Sequence, residues 1–257
     1  MNPSLRKVLV PIVAIVIFLA LWEALVWGMG WPNYKMASPS DLIPAYERYW
    51  NLFLVMGWQT LWRTVLGLLL AIVVGTAIGM IMGFSRTMRD ALYPLLVGFN
   101  AIPKATVVPI VALMFVGAHD FNTVLIAFMI SFFPIAVSVS IGLSTLEPEY
   151  RDILRSLGAS QTTIFWKIAL PKTLPEFFGA LKVSVTLAFI GTNLMEIVSP
   201  HGRGLGALFD SGKTNSDYPL MFAVLIALAV LGIILYYVVV ALERIFAGWA
   251  ERADTSF

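Results

Sequence analysis

Residues 147–176 read EPEYRDILRSLGASQTTIFWKIALPKTLPE, a polar and amphipathic island between long apolar runs. Ile153, Leu154 and Leu157 fall on one face of a short helix beginning near Glu149, while Asp152, Arg155 and Ser156 face elsewhere. Gly158 ends that helix at little steric cost in a left-handed conformation, with Ala159 beyond it. Ser160 then caps a second segment carrying Ile164, Phe165 and Ile168. Leu170-Pro171 is expected to stop this segment, because proline disfavours helix at the residue before it. Thr173, with Glu176 three residues on, makes a capping box for the next helix. The expected result is a rigid elbow with an apolar knob, suited to taking force from a soluble partner. The plainer reading is an ordinary structured loop.

The surroundings of the island set its context. Of the 257 residues, 59% are hydrophobic and 12% charged, and mean hydropathy is +0.86. Soluble domains carry roughly 25% charged residues, so this chain lacks the polar surface to cover a soluble globule. The long, continuous apolar runs imply an all-α polytopic membrane protein, since a β-barrel would alternate over segments of about ten residues. A net charge of +2 with no basic run gives no footprint for nucleic acid. With no cysteine, disulfides, zinc-thiolate sites and thiol catalysis are excluded. His119 and His201 show no metal-ligand spacing, and no GxSxG elbow occurs, so no metal site, no catalytic residue and no enzymatic role is expected.

A membrane helix takes about 20 apolar residues. Six spans emerge: Val8 to Gly28, Leu61 to Phe84, Leu92 to Val116, Phe121 to Leu143, Phe177 to Val198 and Leu220 to Leu242. The first is too long for a signal peptide and no small-x-small cleavage site follows it. The third is interrupted by Pro94, Pro103 and Pro109 and contains Asn100 and Lys104. The bias of Lys and Arg puts both termini and the island on the cytoplasmic side, with the island between the fourth and fifth helices.

Before the second span, Ser38-Pro39-Ser40-Asp41 is a helix start. Leu42, Tyr46 and Tyr49 then share one face, which suits an interfacial helix in an aromatic belt. The chain thus divides into residues 1–60, with the first helix and the interfacial helix, and a five-helix core at 61–257 holding the 147–176 loop. Gly75, Gly79 and Gly83 form a small-residue stripe for close helix packing.

Charges within apolar runs need a reason, since each costs roughly 2.5–3.5 kcal/mol at the bilayer centre. Lys182 lies near enough to the cytoplasmic interface to snorkel there. Lys104, with Asn100, either lines a path as a cation facing an anionic solute or contacts carbonyls freed by the kink. Glu196 and Asn193 either line an outer mouth or serve structure, with Glu196 paired to Arg203. Ala207 to Thr214, ALFDSGKT, approaches a phosphate-binding loop but lacks the first glycine, follows no strand and carries Asp210, so it is rejected as one.

The island resembles the "EAA" loop of ABC importer permeases. Gly158, Ile168, Leu170 and Pro171 stand at that motif's spacings, and Asp152-Ile153-Leu154 replaces Glu-Ala-Ala. The Ser38-to-Ser40 SPS, the GFSR ending the second span, Ile102-Pro103, Phe132-Phe133-Pro134 and Gly204-Leu205-Gly206 are similar to the nitrate/sulfonate/taurine-type branch. The resemblance implies a permease subunit in a bacterial inner membrane, working as a pair, most simply a homodimer. It implies two ATP-binding subunits that hold ATP and Mg, gripping the elbow through Asp152, Ile153, Leu154, Arg155, Leu157, Gly158, Ala159, Ser160, Leu170 and Pro171. It also implies an external solute-binding protein, and no cofactor in this chain. Nitrate, sulfonates and vitamin-precursor-like molecules are the cargo classes it suggests, and positive Lys104 leans towards an anion. The alternatives are a stand-alone secondary transporter with its own ion coupling, or an intramembrane enzyme, for which paired catalytic groups are lacking.

Overall fold

The computed structural model describes residues 3–144, 153–199 and 202–249. The expected start of the elbow helix with Asp152, as well as His201 and Arg252, lies outside them. Among the described residues there is no strand. The helices are α1 (Pro3–Met29), α2 (Pro39–Phe84), α3 (Arg86–Ala101), α4 (Lys104–Met114), α5 (His119–Ser144), α6 (Gln161–Ile164), α7 (Leu170–Val198), α8 (Leu205–Thr214) and α9 (Tyr218–Phe246). A π-helical turn, Phe165–Ala169, joins α6 to α7.

Five spans are long and apolar enough to cross a membrane, and α3 with α4 makes a sixth if the bent pair counts as one. That pair bends by 87°. The break falls at Ile102-Pro103, where Ile102 is extended at ψ 127 because the following proline ring crowds the helical alternative. Pro94 and Pro109, expected to interrupt the span as well, sit inside α3 and α4 without ending them.

The centre of the molecule is α2 packed on α5 and α5 packed on α7. Gly75, Gly79 and Gly83 do pack, and against α5. A Cβ on Gly79 would lie 2.6 Å from the Ala136 carbonyl oxygen and 2.7 Å from Val139 Cβ. The stripe begins earlier than the sequence pattern suggests, with Gly67 against Ala127 and fully buried Ala71. Phe132, Ile135, Val139, Phe178, Leu181 and Val185 fill the core beside it. By contrast, α1 is almost wholly exposed and α3 buries no residue.

The residues expected to form the interfacial helix are the first part of α2, which is two helices joined across a kink at Tyr49 (φ −112, ψ 15). The face expected to meet the aromatic belt packs on protein. Leu42 is buried with Leu205, Leu220 and Ala223. The Tyr46 hydroxyl donates to the Ala223 carbonyl at 2.7 Å, and that of Tyr49 to Asp217 Oδ2 at 3.2 Å. The start of the helix matches the SPSD reading: Ser38 N–H donates to Asp41 Oδ2 at 3.0 Å. Ser40 adds a tie to α1, its N–H and hydroxyl donating to the Glu23 carboxylate at 3.0 and 2.7 Å.

Candidate functional sites: an elbow at one end and a buried ion cluster at the other

The elbow is built from local hydrogen bonds. Residues 153–156 form a helical turn. Gly158 N–H donates to the Arg155 carbonyl at 2.9 Å and Ala159 N–H to that of Leu154 at 3.0 Å. This paired pattern is the Schellman ending, which places its glycine in the left-handed region, and Gly158 has φ +82. Nothing lies within 4 Å of where its Cβ would be, so conformation and not space requires the glycine. Ser160 Oγ caps the next helix by accepting from Thr163 N–H at 3.2 Å. The apolar face is left open: Ile153 is 56%, Leu157 77% and Trp166 61% exposed. Ile164 turns inward and Phe165 packs on Phe84 at 5.4 Å between ring centroids.

Two expectations at the elbow fail. Leu170-Pro171 does not stop the chain. Leu170 N–H reaches back five residues to the Phe165 carbonyl, and the helix passes through this widened turn into α7, with Pro171 in the first turn of α7. A π turn relieves the clash between a proline ring and the preceding carbonyls, which a regular α-turn does not. Thr173 and Glu176 are not a capping box either. Thr173 lies inside the helix, its hydroxyl donating to the Ala169 carbonyl at 2.8 Å. The elbow is therefore continuous with a single 37-residue span, Thr162–Val198.

At the opposite end of α7, Glu196 is fully buried beside fully buried Arg63 of α2. Arg63 Nη1 meets Glu196 Oε1 at 3.2 Å and also donates to the Arg203 carbonyl. Its Nε and Nη2 grip Asp120 Oδ1, in the first turn of α5, at 2.8 and 2.6 Å. Glu196 Oε2 accepts from the Thr60 hydroxyl at 2.8 Å and from Gly206 N–H at 3.0 Å. One guanidinium thus holds α2, α5, α7 and the start of α8. Gly204 has φ +121, and a Cβ on it would lie 2.1 Å from Glu196 Oε1. The Gly204-Leu205-Gly206 motif exists because its backbone lies directly on this carboxylate. His119 sits at the rim, accepting from Arg203 N–H at Nε2 (3.1 Å), which leaves Nδ1–H to donate to Ser199 Oγ at 2.9 Å.

The expected pairing of Glu196 with Arg203 is replaced by Arg63, since Arg203 offers its carbonyl while its side chain faces outward. Asn193 Nδ2 donates to the Phe189 carbonyl at 2.7 Å. Lys104 lies at the α3–α4 break, and its ammonium donates to the carbonyls of Phe99, Asn100 and Ile102 at 2.8, 2.9 and 3.2 Å. Asn100 itself is exposed. No hydrogen bond among the described residues joins Asn100 or Lys104 to Asn193 or Glu196. Lys182 does not simply snorkel; it pairs with Glu243 of α9 at 2.9 Å. Thr60, Arg63, Asp120 and Glu243 are not singled out by the sequence reading, yet the structure engages them in ion pairs and hydrogen bonds. The signal for Arg63 was present, because a charge within an apolar helix demands a partner of opposite sign in another.

ALFDSGKT is helical along α8, so Lys213 and Thr214 stand at a helix C-terminus, the wrong end of the macrodipole for phosphate. Among the described residues, no group of acids and histidines has the spacing of a metal site.

Comparison with known proteins fits this architecture. Residues 71–248 match the family described as binding-protein-dependent transport system inner membrane component. The formylaminopyrimidine transport permease protein ThiX of Halalkalibacterium halodurans is 30% identical over 96% of this chain and 98% of its own length. The riboflavin transport system permease protein RibX of Chloroflexus aurantiacus is 31% identical over 92% and 88%. The taurine transport system permease protein TauC of Escherichia coli is 25% identical over 96% and 92%. A chain from inward-facing conformations of the MetNI methionine ABC transporter shares the fold, with a TM-score of 0.63 at 19% identity, over 78% of this chain and 98% of that one. These relatives belong to a class of transport permeases, not of enzymes, and do not favour a stand-alone secondary transporter. The chain belongs to the binding-protein-dependent transport system inner membrane component family, and is a multi-pass permease subunit of an ABC importer.

Proposed function

We propose that the elbow is the mechanical input of this permease. Residues 152–160, with Leu170 and Pro171 behind them, dock on an ATP-hydrolysing subunit, and that partner binds the ATP and Mg. The observation that carries this reading is the Gly158 turn: it fixes a short helix whose apolar residues Ile153 and Leu157 are left exposed by the described residues. Exposed Trp166 extends the same apolar surface. Beyond the Gly158 turn, the π turn joins α6 to α7 without a loop.

The elbow and both termini face the cytoplasm of a bacterial cell, as the Lys and Arg bias requires. Two copies of the chain, each with one ATPase subunit, enclose the path, and an external binding protein delivers the solute to the end marked by Arg63. Asn100 and Asn193 supply polar surface along that path. Lys104 and Glu196 shape it through what they hold, the end of α3 in one case and the first turn of α8 in the other. Because the Lys104 ammonium is engaged by three carbonyls, it no longer argues for an anionic cargo.

The test is ATP-driven uptake by the reconstituted transporter, with Gly158→Pro and Gly158→Ala compared. Proline removes the N–H that Arg155 accepts and forbids positive φ, so uptake is lost while membrane insertion persists. Alanine has the space and pays only the left-handed strain, about 1 kcal/mol, so it retains substantial uptake. Full uptake by Gly158→Pro would refute the elbow.

A further inference from the structure

Four successive amides at the Arg63 end of the molecule are held by side chains. Arg203 N–H donates to His119 Nε2 at 3.1 Å and Gly204 N–H to Met56 Sδ at 3.1 Å. Leu205 N–H donates to the Thr60 hydroxyl oxygen at 2.8 Å and Gly206 N–H to Glu196 Oε2 at 3.0 Å. The acceptors come from α5, α2 and α7, so the entry to α8 is a strap laid across three helices. These acceptors answer a proton differently. A thioether and a hydroxyl have no basic site at ordinary pH. A carboxylate that gains a proton keeps a carbonyl oxygen that accepts. The imidazole changes role, because both of its nitrogens are donors once it is charged.

The surroundings give the charged ring no equal bond in exchange. Nδ1–H donates to Ser199 Oγ at 2.9 Å and can go on doing so. Nε2, once it carries a hydrogen, meets the Arg203 N–H as donor against donor. The Arg203 carbonyl lies 3.3 Å from the same nitrogen, but the Arg63 guanidinium already holds that oxygen. The charges facing the ring add to this. Arg63 of α2 and Arg203 of the strap carry like charge, and Asp120 of α5, the nearby acid, is engaged by Arg63. Glu196 of α7 is paired with the same guanidinium. The turn at 115–118, before α5, brings no charge. Protonation therefore replaces an attractive contact with a repulsive one beside two arginines.

We propose that His119 is a proton-operated catch on residues 203–206: the neutral imidazole holds the strap through the Arg203 N–H, and the imidazolium lets it go. Ser199 stays attached in both states, so the part released is the Arg203 end. His119 and Arg203 both line the space between α4 and α7, and acidification loosens one wall of it. The proposal rests on the importer reading only in taking this end as the one that meets the outside medium.

Amide hydrogen exchange of the full chain in lipid nanodiscs tests this, with each rate divided by that of the unfolded chain at the same pH. Protection of amides 203–206 should fall about tenfold between about pH 8 and about pH 5.5, as loss of one hydrogen bond across the histidine range implies. Protection between Gly75 and Gly83, in the α2–α5 contact, should stay constant. In His119→Gln the side-chain carbonyl accepts at either pH, so the strap should stay protected throughout. A parent chain whose strap protection ignores pH, or a His119→Gln chain that shows the same fall, overturns the proposal. Nitrogen NMR of the imidazole decides the matter even where that variant misfolds. The chain has two histidines, so His201→Gln leaves His119 as the one observed. At about pH 8 Nδ1 should carry the proton and Nε2 should be bare, with both protonated at about pH 5.5. A proton on Nε2 at the higher pH overturns the proposal. Neither measurement involves ATP-driven uptake, which judges the importer reading separately.

Discussion

Arg63→Met should be among the most damaging single substitutions in this chain, because of what it leaves behind. Methionine fills much of the space of the arginine stem, so packing on α2 changes little. Glu196, at 0% exposure, is left with the Thr60 hydroxyl and the Gly206 N–H but without its cation. Breaking a buried ion pair from one side costs about 3–5 kcal/mol. For a chain of this size each kcal/mol shifts the midpoint by about 2–4 °C, so thermal unfolding in detergent should fall by about 10 °C. Asp120 takes little part in that loss. Its side chain is 59% exposed, so water replaces the guanidinium, and Asp120→Asn should cost under about 1 kcal/mol. The decisive variant is Arg63→Met with Glu196→Gln. Glutamine keeps an acceptor for Gly206 N–H and removes the stranded charge. The double variant should therefore be more stable than Arg63→Met alone, with about 2 kcal/mol of coupling between the two sites. An Arg63→Met protein that melts within 2 °C or so of the parent, or a double variant no better than the single, would refute the reading of the cluster as a buried ion lock.

Two further outcomes follow from the same geometry. Gly79→Leu should part α2 from α5, since the Ala136 carbonyl 2.6 Å from the new Cβ is backbone and cannot rotate away; expression as a folded chain should collapse on size-exclusion, whereas Gly98→Ala, with nothing within 4 Å in α3, should gain up to about 1 kcal/mol. Lys182→Met should lower the melting point by a few degrees through unpaired Glu243, which is 14% exposed, and adding Glu243→Gln should restore most of it in the same melting assay.

Periodicity and punctuation made much of this fold readable. The apolar runs gave the spans because a bilayer sets their length, and the glycine stripe gave the α2–α5 contact because only small residues permit it. Gly158 and Ser160 were legible because their hydrogen bonds are local. Leu170-Pro171 misled for the opposite reason. Whether a proline ends a helix depends on whether the turn before it can widen, and that is decided by the packing of Ile164, Phe165 and Ala169 on the rest of the molecule. The Arg63 cluster was hidden in the same way. Its members stand at 60, 63, 120, 196 and 206, and no spacing rule joins positions so far apart. The protein contacts of Tyr46 and Tyr49 were hidden for the same reason, since their hydroxyl partners lie more than 160 residues away.

These features meet in α7. Its first turns carry the elbow through a π turn, and its last turns carry Glu196 into the ion cluster. A 37-residue helix rises about 55 Å, so a push on the elbow acts along one rod whose far end is pinned to α2 and α5. The glycine contacts and the ion lock bind α2, α5 and α7 into one body that resists shear. Displacement must then be taken up where the chain yields. The π turn is one such place, because its hydrogen bonds have an alternative α register. The α3–α4 break is the other, since α3 buries nothing and the bend is held by one lysine ammonium on three carbonyls. A cleft lined by residues from the 109–122 stretch together with Val198, Ser199 and Arg203 lies between α4 and the pinned ends of α5 and α7. A movement of α4 against that body would therefore change the cleft and leave the Arg63 cluster intact. On this reading Lys104 matters as the clasp of a moving part, and Lys104→Met should alter how transport responds to the ATPase more than it alters which solute is carried.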